Sequence, residues 1–286
     1  MVGFISFIKS VITLFSCISI IFSTGSFTPS VPHEEDFELV WSDEFDGDTL
    51  DTSVRSGHYF YDGTFMRKGG YWNMDFATVE DGNLHISTKY CPDGYNGNGI
   101  PGWYTCAIDT QESLSWRYGY FEVRCILPKG AGAWSAFWMM PDNVALIDGS
   151  GKDGAEIDIF EAPYFSQNTS AGRNRVSSAV HYDGYGDAHK STTVCKPFIF
   201  INNPYEEYNT YGLEWNEDEY IFYVNGIETG RSSFGGVAQV KEWLILSVEI
   251  GGSNGVAADS WAGSKLADDA QVTDFIVDYV RVYQYK

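Results

Sequence analysis

Three acids interrupt an apolar run at Gly154-Ala-Glu156-Ile-Asp158-Ile-Phe-Glu161-Ala-Pro163. In an extended chain residues two apart share a face, so Glu156 and Asp158 point one way while Ile157 and Ile159 point the other. Glu161, three beyond Asp158, faces away in a regular strand. A single β-bulge between them returns it to the shared face, because a bulge inserts one extra residue and re-aims the side chains beyond it. Carboxyls lined up in this way repel, and at least one is driven to keep its proton. An ionised carboxylate beside a protonated one is what retaining glycosidic cleavage needs, a nucleophile and an acid roughly 5–5.5 Å apart. Cα atoms four strand positions apart lie roughly 13 Å from each other, so inward-leaning Glu side chains and bulge shortening must close the gap. By spacing alone, an acidic solvated strand face is the favoured reading of the same residues.

The elements that must carry these acids are strands. From Phe37 onward, short segments rich in Val, Ile, Tyr, Phe and Trp are bounded by Gly, Asn, Asp or Pro, and helical periodicity is nearly absent. Asn83 to Lys89 and Phe121 to Leu127 alternate apolar and polar residues, as half-buried strands do. Glu219 to Val224 runs into Asn225-Gly226, a strong two-residue hairpin signal because both turn positions want positive φ. Phe275 to Tyr285 is apolar on both faces, which predicts a strand in the middle of a layer. Many strands at short spacing predict an all-β sandwich or barrel. Gly-rich stretches at 92–102, 144–154 and 251–263 are candidate cleft loops.

The chain has 286 residues with 18 Lys+Arg against 39 Asp+Glu, a formal charge of -21 that disfavours nucleic acid and anionic membranes as partners. Lys9 followed by the apolar run Val11 to Phe22 and small residues reads as a secretory signal peptide over residues 1–25, too short for a membrane span of roughly 20 helical residues. Residues 26–35 then read as a short linker and 36–286 as one domain. The protein is thus expected to be secreted and monomeric; Leu14 to Cys17 is a poorer match to a lipoprotein site. Beyond the signal lie Cys91, Cys106, Cys125 and Cys195, which allow three pairings. Cys91 and Cys106 bracket a loop and suit a local staple, with buried thiols the equal alternative. Asn168-Thr-Ser170 fits a glycosylation sequon.

Glu156-Ile-Asp158-Ile-Phe-Glu161 resembles the ExDxxE signature of glycoside hydrolase family 16, the laminarinase-like β-glucanases. Further segments resemble the family in the same order: Trp41-Ser-Asp-Glu-Phe-Asp-Gly47, Tyr118-Gly-Tyr-Phe-Glu-Val-Arg124, Ala133-Trp-Ser-Ala-Phe-Trp-Met-Met140, Tyr211-Gly-Leu-Glu-Trp215 and Asp278-Tyr-Val-Arg-Val-Tyr283. The resemblance runs from about residue 38 to the C-terminus. It implies a concanavalin-like β-jelly roll of two antiparallel sheets with a concave substrate groove. It also implies Glu156 as nucleophile, Glu161 as acid/base and Asp158 orienting the nucleophile. The ExDxxE spacing resembles the bulged branch of laminarinases and galactan-degrading enzymes.

Sugar rings present apolar CH faces that flat aromatic rings can seat. Trp134 and Trp138, four residues apart on one strand face, match the family's cleft tryptophans, and Trp103 is a weaker candidate. His181 and Asn73 resemble cleft positions in relatives, His181 serving either as a neutral imidazole in the cleft or as a structural residue. No cofactor is implied for catalysis. A structural calcium ion is implied at Glu44, Gly82 and Asp278, where hard oxygen ligands suit it; a plain acidic surface pair is the alternative.

The implied activity is endo-acting, retaining cleavage of internal β-1,3 or mixed β-1,3/1,4 glucosidic bonds in a β-glucan. Two alternatives stand beside it: cleavage of a β-galactan, and noncatalytic carbohydrate binding. Few basic residues speak against sulfated galactans, and retention of all three acids speaks against the noncatalytic reading. Glu249 departs from the family pattern, which has a small or apolar residue there, and this leaves the sugar open.

Overall fold

Alternation and turn chemistry build strands along nearly the whole described chain. The computed structural model describes residues 31–54, 63–164, 176–194 and 203–286, and residues 31–286 form one unit. In chain order its strands are β1 (Phe37–Asp43), β2 (Thr64–Arg67), β3 (Gly70–Asn73), β4 (Ala77–Glu80), β5 (Asn83–Ile86), β6 (Lys89–Cys91), β7 (Gly102–Thr105), β8 (Ala107–Asp109), β9 (Gly119–Ile126) and β10 (Ala133–Met140). They continue with β11 (Glu156–Pro163), β12 (Ser177–Tyr182), β13 (Lys190–Thr193), β14 (Asn209–Trp215), β15 (Tyr220–Val224), β16 (Ile227–Ser232), β17 (Trp243–Ile250), β18 (Gly252–Ser253), β19 (Val256–Ala257) and β20 (Phe275–Tyr285). Among the described residues the only helical pieces are three short 3-10 turns.

Two antiparallel sheets make the jelly-roll sandwich. One runs β16-β15-β14-β9-β20-β5-β4 with β1 also on β20, and the other runs β13-β12-β11-β10-β17-β8. Period-two alternation turns Phe121, Val123 and Cys125 of β9 inward, and a register irregularity between Val277 and Tyr279 brings Val277 inward together with Val280 and Val282 of β20. They meet Phe137 and Met139 of β10, Ile157 and Phe160 of β11, and Leu244, Leu246 and Val248 of β17 in one buried apolar cluster. The outer face of the six-stranded sheet is left to carry the acids.

The sequence expectations hold in outline and differ in detail. Strand β20 is central, pairing β9 on one edge and β1 and β5 on the other. Its burial alternates, however, with Asp278 and Arg281 half-buried on the outer face. In β9 the expected alternation is lost because outward Tyr120 and Glu122 are also buried. Tyr120 packs under Val31, Phe37, Ile221 and Tyr223, while Glu122 accepts from the Tyr120 hydroxyl at 3.1 Å and the Tyr279 hydroxyl at 2.7 Å. The Asn225-Gly226 turn joins β15 and β16 as expected, both residues at positive φ of 51° and 72°.

The expected linker over 26–35 needs correction at its end. Val31 is buried against Phe37, and Glu34–Asp36 forms a 3-10 turn whose Glu35 carbonyl accepts from Lys286 Nζ at 2.7 Å. The packed unit therefore includes residues 31–35. The signal segment 1–25, the sequon at Asn168 and Cys195 lie outside the described residues. The Cys91–Cys106 staple is not formed: Cys91 is a buried thiol, and Cys106 donates its Sγ hydrogen to the Ala107 carbonyl at 3.4 Å. Strands β6 to β8 already hold the loop ends, so a crosslink is not needed to close them. Among the described residues, no helix is long and apolar enough to cross a membrane.

Candidate active site

Strand β11 crosses the middle of the six-stranded sheet between β10 and β12, and it contains a bulge. Against β10 the pairing steps from Phe137 opposite Phe160 to Trp138 opposite Asp158, and against β12 it steps from Asp158–Ala179 to Glu161–Ser177. Ile159 is the extra residue, and its carbonyl accepts from the Ser178 hydroxyl at 2.8 Å. Consecutive Ile159 and Phe160 both enter the core, which returns Glu161 to the outer face beside Glu156 and Asp158. The strand start is pinned by the Ala155 N–H, which donates at 3.1 Å to Glu242, a carboxyl that burial pushes well above the usual range.

The acids sit in a groove made of two recesses. One, of about 390 Å³, is lined by Arg67, Trp134, Trp138, Asp158 and Glu249, among others. The second, of about 490 Å³, extends over β12 and β13 past His181, His189 and Thr193 to Trp261. Glu156, Glu161, Lys68 and Tyr185 line both, so the carboxyl row lies where the two meet. Each recess is in the size range of a site for a small sugar segment.

Environment separates the carboxyls. Burial, then the charges of Glu156 and Glu249, pushes Asp158 well above the ordinary carboxyl range, opposed by Lys68. Burial, then Asp158, Glu249 and Glu156, raises Glu161 in the same way, opposed by His181. Both shifts favour the protonated form, and Glu161 is the one placed to donate a proton. Glu156 is half-buried at the start of β11 and accepts a hydrogen bond from the Tyr185 hydroxyl. Asp158 Oδ2 lies 3.1 Å from His181 Nε2, and His181 Nδ1 lies 3.0 Å from His189 Nε2. A line of polar groups thus runs from Asp158 through both imidazoles. His181 takes the cleft position, directly across from Glu156 on β12.

The aromatic expectations divide. Trp134 and Trp138 do line the groove, with Phe137 in the core, but they are only 3% and 5% exposed. Trp138 donates Nε1 to Ser247 at 3.1 Å, and Trp134 meets Trp261 edge-on at 5.1 Å. They form the floor, and the accessible rings are Trp261 and Tyr185 at 50% and 59% exposure. Trp103 is a correction: it is buried in an apolar cluster with Ala133, Ile250 and Leu266, so neither ring face is open to a sugar. Asn73 lies outside both recesses, where its side chain caps the turn at Asp75 and donates to Thr64. Trp261 sits at the tip of a tight turn closed by the Ser260–Gly263 pair, within the expected cleft loop 251–263. The 144–154 loop instead braces the turn bearing Tyr185, with Asp183 accepting from the Asp148 and Gly149 amides. Nothing in the spacing around Tyr185, His189, Arg67 or Lys68 marked them as groove residues.

The calcium ligands do not fit their expected role. Glu44 gives both oxygens to Arg281, at 2.9 and 2.7 Å, and Asp278 is paired with Arg124. Each carboxylate already has a guanidinium partner, whereas calcium needs oxygens free of competing cations. Among the described residues, carboxylate and imidazole atoms close enough to hold an ion occur at Glu156, Asp158 and His181, within the carboxyl row itself.

The profile of the family described as β-porphyranase A–D, GH16 domain, matches residues 38–285. The chain is 31% identical to the clotting factor G alpha subunit of Tachypleus tridentatus over 88% of its own length, though it spans only 35% of that protein. It is 30% identical to a β-glucanase of Rhodothermus marinus, covering 89% of this chain and 86% of that one. Its fold superposes on the laminarinase catalytic domain of Thermotoga maritima with a TM-score of 0.67 at 26% identity, covering 88% of this chain and 99% of that domain. With the bulged ExDxxE strand on the groove face of a two-sheet sandwich and a family match across nearly the whole described unit, the chain belongs to glycoside hydrolase family 16.

Proposed function

We propose that this protein is a secreted, monomeric, endo-acting and retaining glycosidase that cuts internal β-1,3 or mixed β-1,3/1,4 glucosidic bonds. The observation that carries the reading is the Ile159 bulge, which sets Glu156, Asp158 and Glu161 along one groove wall. In the first step a Glu156 oxygen attacks the anomeric carbon while Glu161 gives its proton to the departing glycosidic oxygen. In the second, Glu161, now a carboxylate, takes a proton from water, whose oxygen displaces Glu156 and regenerates both groups. Tyr185 holds the nucleophile by its hydroxyl, and the burial that raises Asp158 disfavours a second negative charge in the row. No metal or cofactor takes part in these steps.

Recesses on both sides of the acids suit a polysaccharide lying across the site, cut in its interior. The glucan preference is supported by the Rhodothermus marinus β-glucanase and the Thermotoga maritima laminarinase fold. A β-galactan is the second reading, favoured by the description of the matching family. Export is supported by the apolar N-terminal run behind Lys9, and cell fractionation of the tagged chain tests it. Reducing-sugar release from laminarin, mixed-linkage glucan and a neutral β-galactan, with Glu156→Gln as control, tests the activity. Release from a glucan that vanishes in the variant supports the first reading, and release from galactan alone replaces it with the second.

A further inference from the structure

The groove carries two cations, and the fold disarms both. Arg67 ends β2 and Lys68 forms the turn into β3, so one hairpin brings them to the sheet edge beside β17. That hairpin cannot lift away easily. The Gly69 N–H donates to the Ile250 carbonyl at 2.9 Å, and a Cβ at Gly69 would lie 2.2 Å from the Gly251 carbonyl oxygen. Only a residue without a side chain lets the turn press so close.

Pressed there, Arg67 meets Glu249. Its Nε and a terminal nitrogen both reach Glu249 Oε1, at 3.1 and 2.8 Å, and Lys68 Nζ lies 3.9 Å from Oε2. Glu249 is buried at 5% exposure, directly opposite Trp134 across the strands, and Lys68 lies 5.5 Å over the Trp134 ring. Among the described residues, Arg67 and Lys68 are the basic side chains lining this recess, and one carboxylate engages both. A sulfate or carboxylate on a sugar seated here would face no uncompensated cation and would meet Glu249 and Glu156 at close range. At such short range the repulsion is little reduced by salt.

We propose that Glu249 is a specificity-determining residue: by sequestering Arg67 and drawing Lys68, it makes the Trp134 side of the groove select neutral sugars and reject sulfated or carboxylated ones. The proposal rests on the reading of this groove as the sugar site, and it concerns the sugar's charge, not the identity of the backbone. It makes Glu249 the partner that cancels an arginine 182 residues away.

The test is calorimetric binding of matched oligosaccharides to a Glu156→Gln form, which cannot turn them over: a β-glucan tetrasaccharide, and a β-galactan tetrasaccharide in neutral and sulfated forms. The neutral galactan should bind at least about tenfold more tightly than the sulfated one, and lowering salt should not close the gap. Adding Glu249→Gln should raise affinity for the sulfated form by about tenfold, the effect expected of a freed charge pair, and leave the neutral form little changed. Adding Arg67→Gln as well should cancel that gain, and thermal melts establish that each variant is folded. Should Glu249→Gln not fold, the salt dependence of the unsubstituted groove carries the test. Tighter binding of the sulfated form before any change at Glu249, or an unchanged ratio after it, overturns the proposal. Preference for neutral galactan over glucan overturns the glucan reading and leaves this one standing, whereas binding of none of the three overturns both.

Discussion

Asp158 and Glu161 are three apart in sequence yet face the same side of β11, because Ile159 between them is left out of the pairing on both edges of the strand. The bulge puts a third carboxyl into the row without moving the first two. It also sends Ile159 and Phe160 together into the core, where Phe160 packs against Tyr211 at 4.3 Å.

Changing the register at this point separates geometry from composition. Deleting Ile159 yields a regular strand that still alternates the three acids onto the groove face, so turnover should persist, with a stability loss of about 2–5 kcal/mol from the missing buried side chain. Inserting one Ala after Ile159 permits a regular strand that keeps Glu161 on the groove face but carries it two strand positions, roughly 7 Å, farther from Glu156, and should abolish turnover. Paired melts and reducing-sugar assays check both, and an active insertion variant would refute the account of the bulge.

Glu156→Gln should lower kcat by at least about 10³-fold while oligosaccharide affinity changes little, as expected when a nucleophile is removed from an otherwise intact site. Glu161→Gln should be similarly severe on polysaccharide and milder on an aryl glycoside whose leaving group needs little protonation. Equal losses of binding and turnover in both variants would mark them as structural residues.

The pH profile is set by the direction of the Glu161 shift. Burial, then Asp158, Glu249 and Glu156, holds this carboxyl well above its usual range. The protonated form is the working acid, so activity is present below the raised value and falls as pH rises through it. Glu249→Gln removes one repelling charge, lowers the Glu161 value and should move the basic limb of kcat/KM to lower pH. Stability carries the same sign: the unfolded chain releases this proton first, so the contribution is lost as pH rises from the ordinary Glu range through the raised value.

The tryptophans should separate by burial. Trp261 is half-exposed at a turn tip, so Trp261→Ala should raise KM about five- to tenfold, the scale of one aromatic contact, and change stability by at most about 0.5 kcal/mol. Trp138 is nearly enclosed and hydrogen-bonded to Ser247, and Trp138→Ala should cost about 3–5 kcal/mol of stability. Substrate titrations and chemical denaturation distinguish the two effects.

Burial pushes the Cys91 and Cys125 thiols upward, Cys125 well above its usual range. In a chain with Cys17 and Cys195 replaced by Ser, thiol reagents should label the remaining cysteines only after unfolding. Reducing agent should leave Tm unchanged. A fall in Tm on reduction would restore the Cys91–Cys106 staple.

Much of this protein is local in origin and therefore legible in the chain. The alternation of Asn83 to Ile86, the Asn225-Gly226 turn and the acids of β11 depend on residues a few positions apart, where strand period and turn sterics decide the outcome. The need for a bulge could be read from the spacing of Asp158 and Glu161, and the motif order carried the family. Tertiary structure alone decided that Ile159 is the extra residue, because that depends on pairing with β10 and β12. It also decided that Trp103 is enclosed while Trp261 is open, that Arg281 and Arg124 occupy the expected calcium ligands, and that Tyr185 reaches Glu156. The Glu249–Arg67 pair shows why: its partners lie on strands that meet only when a glycine turn seats one hairpin against a distant sheet edge. Contacts across such separations depend on register and close packing of the whole sandwich, which no local pattern in the chain encodes.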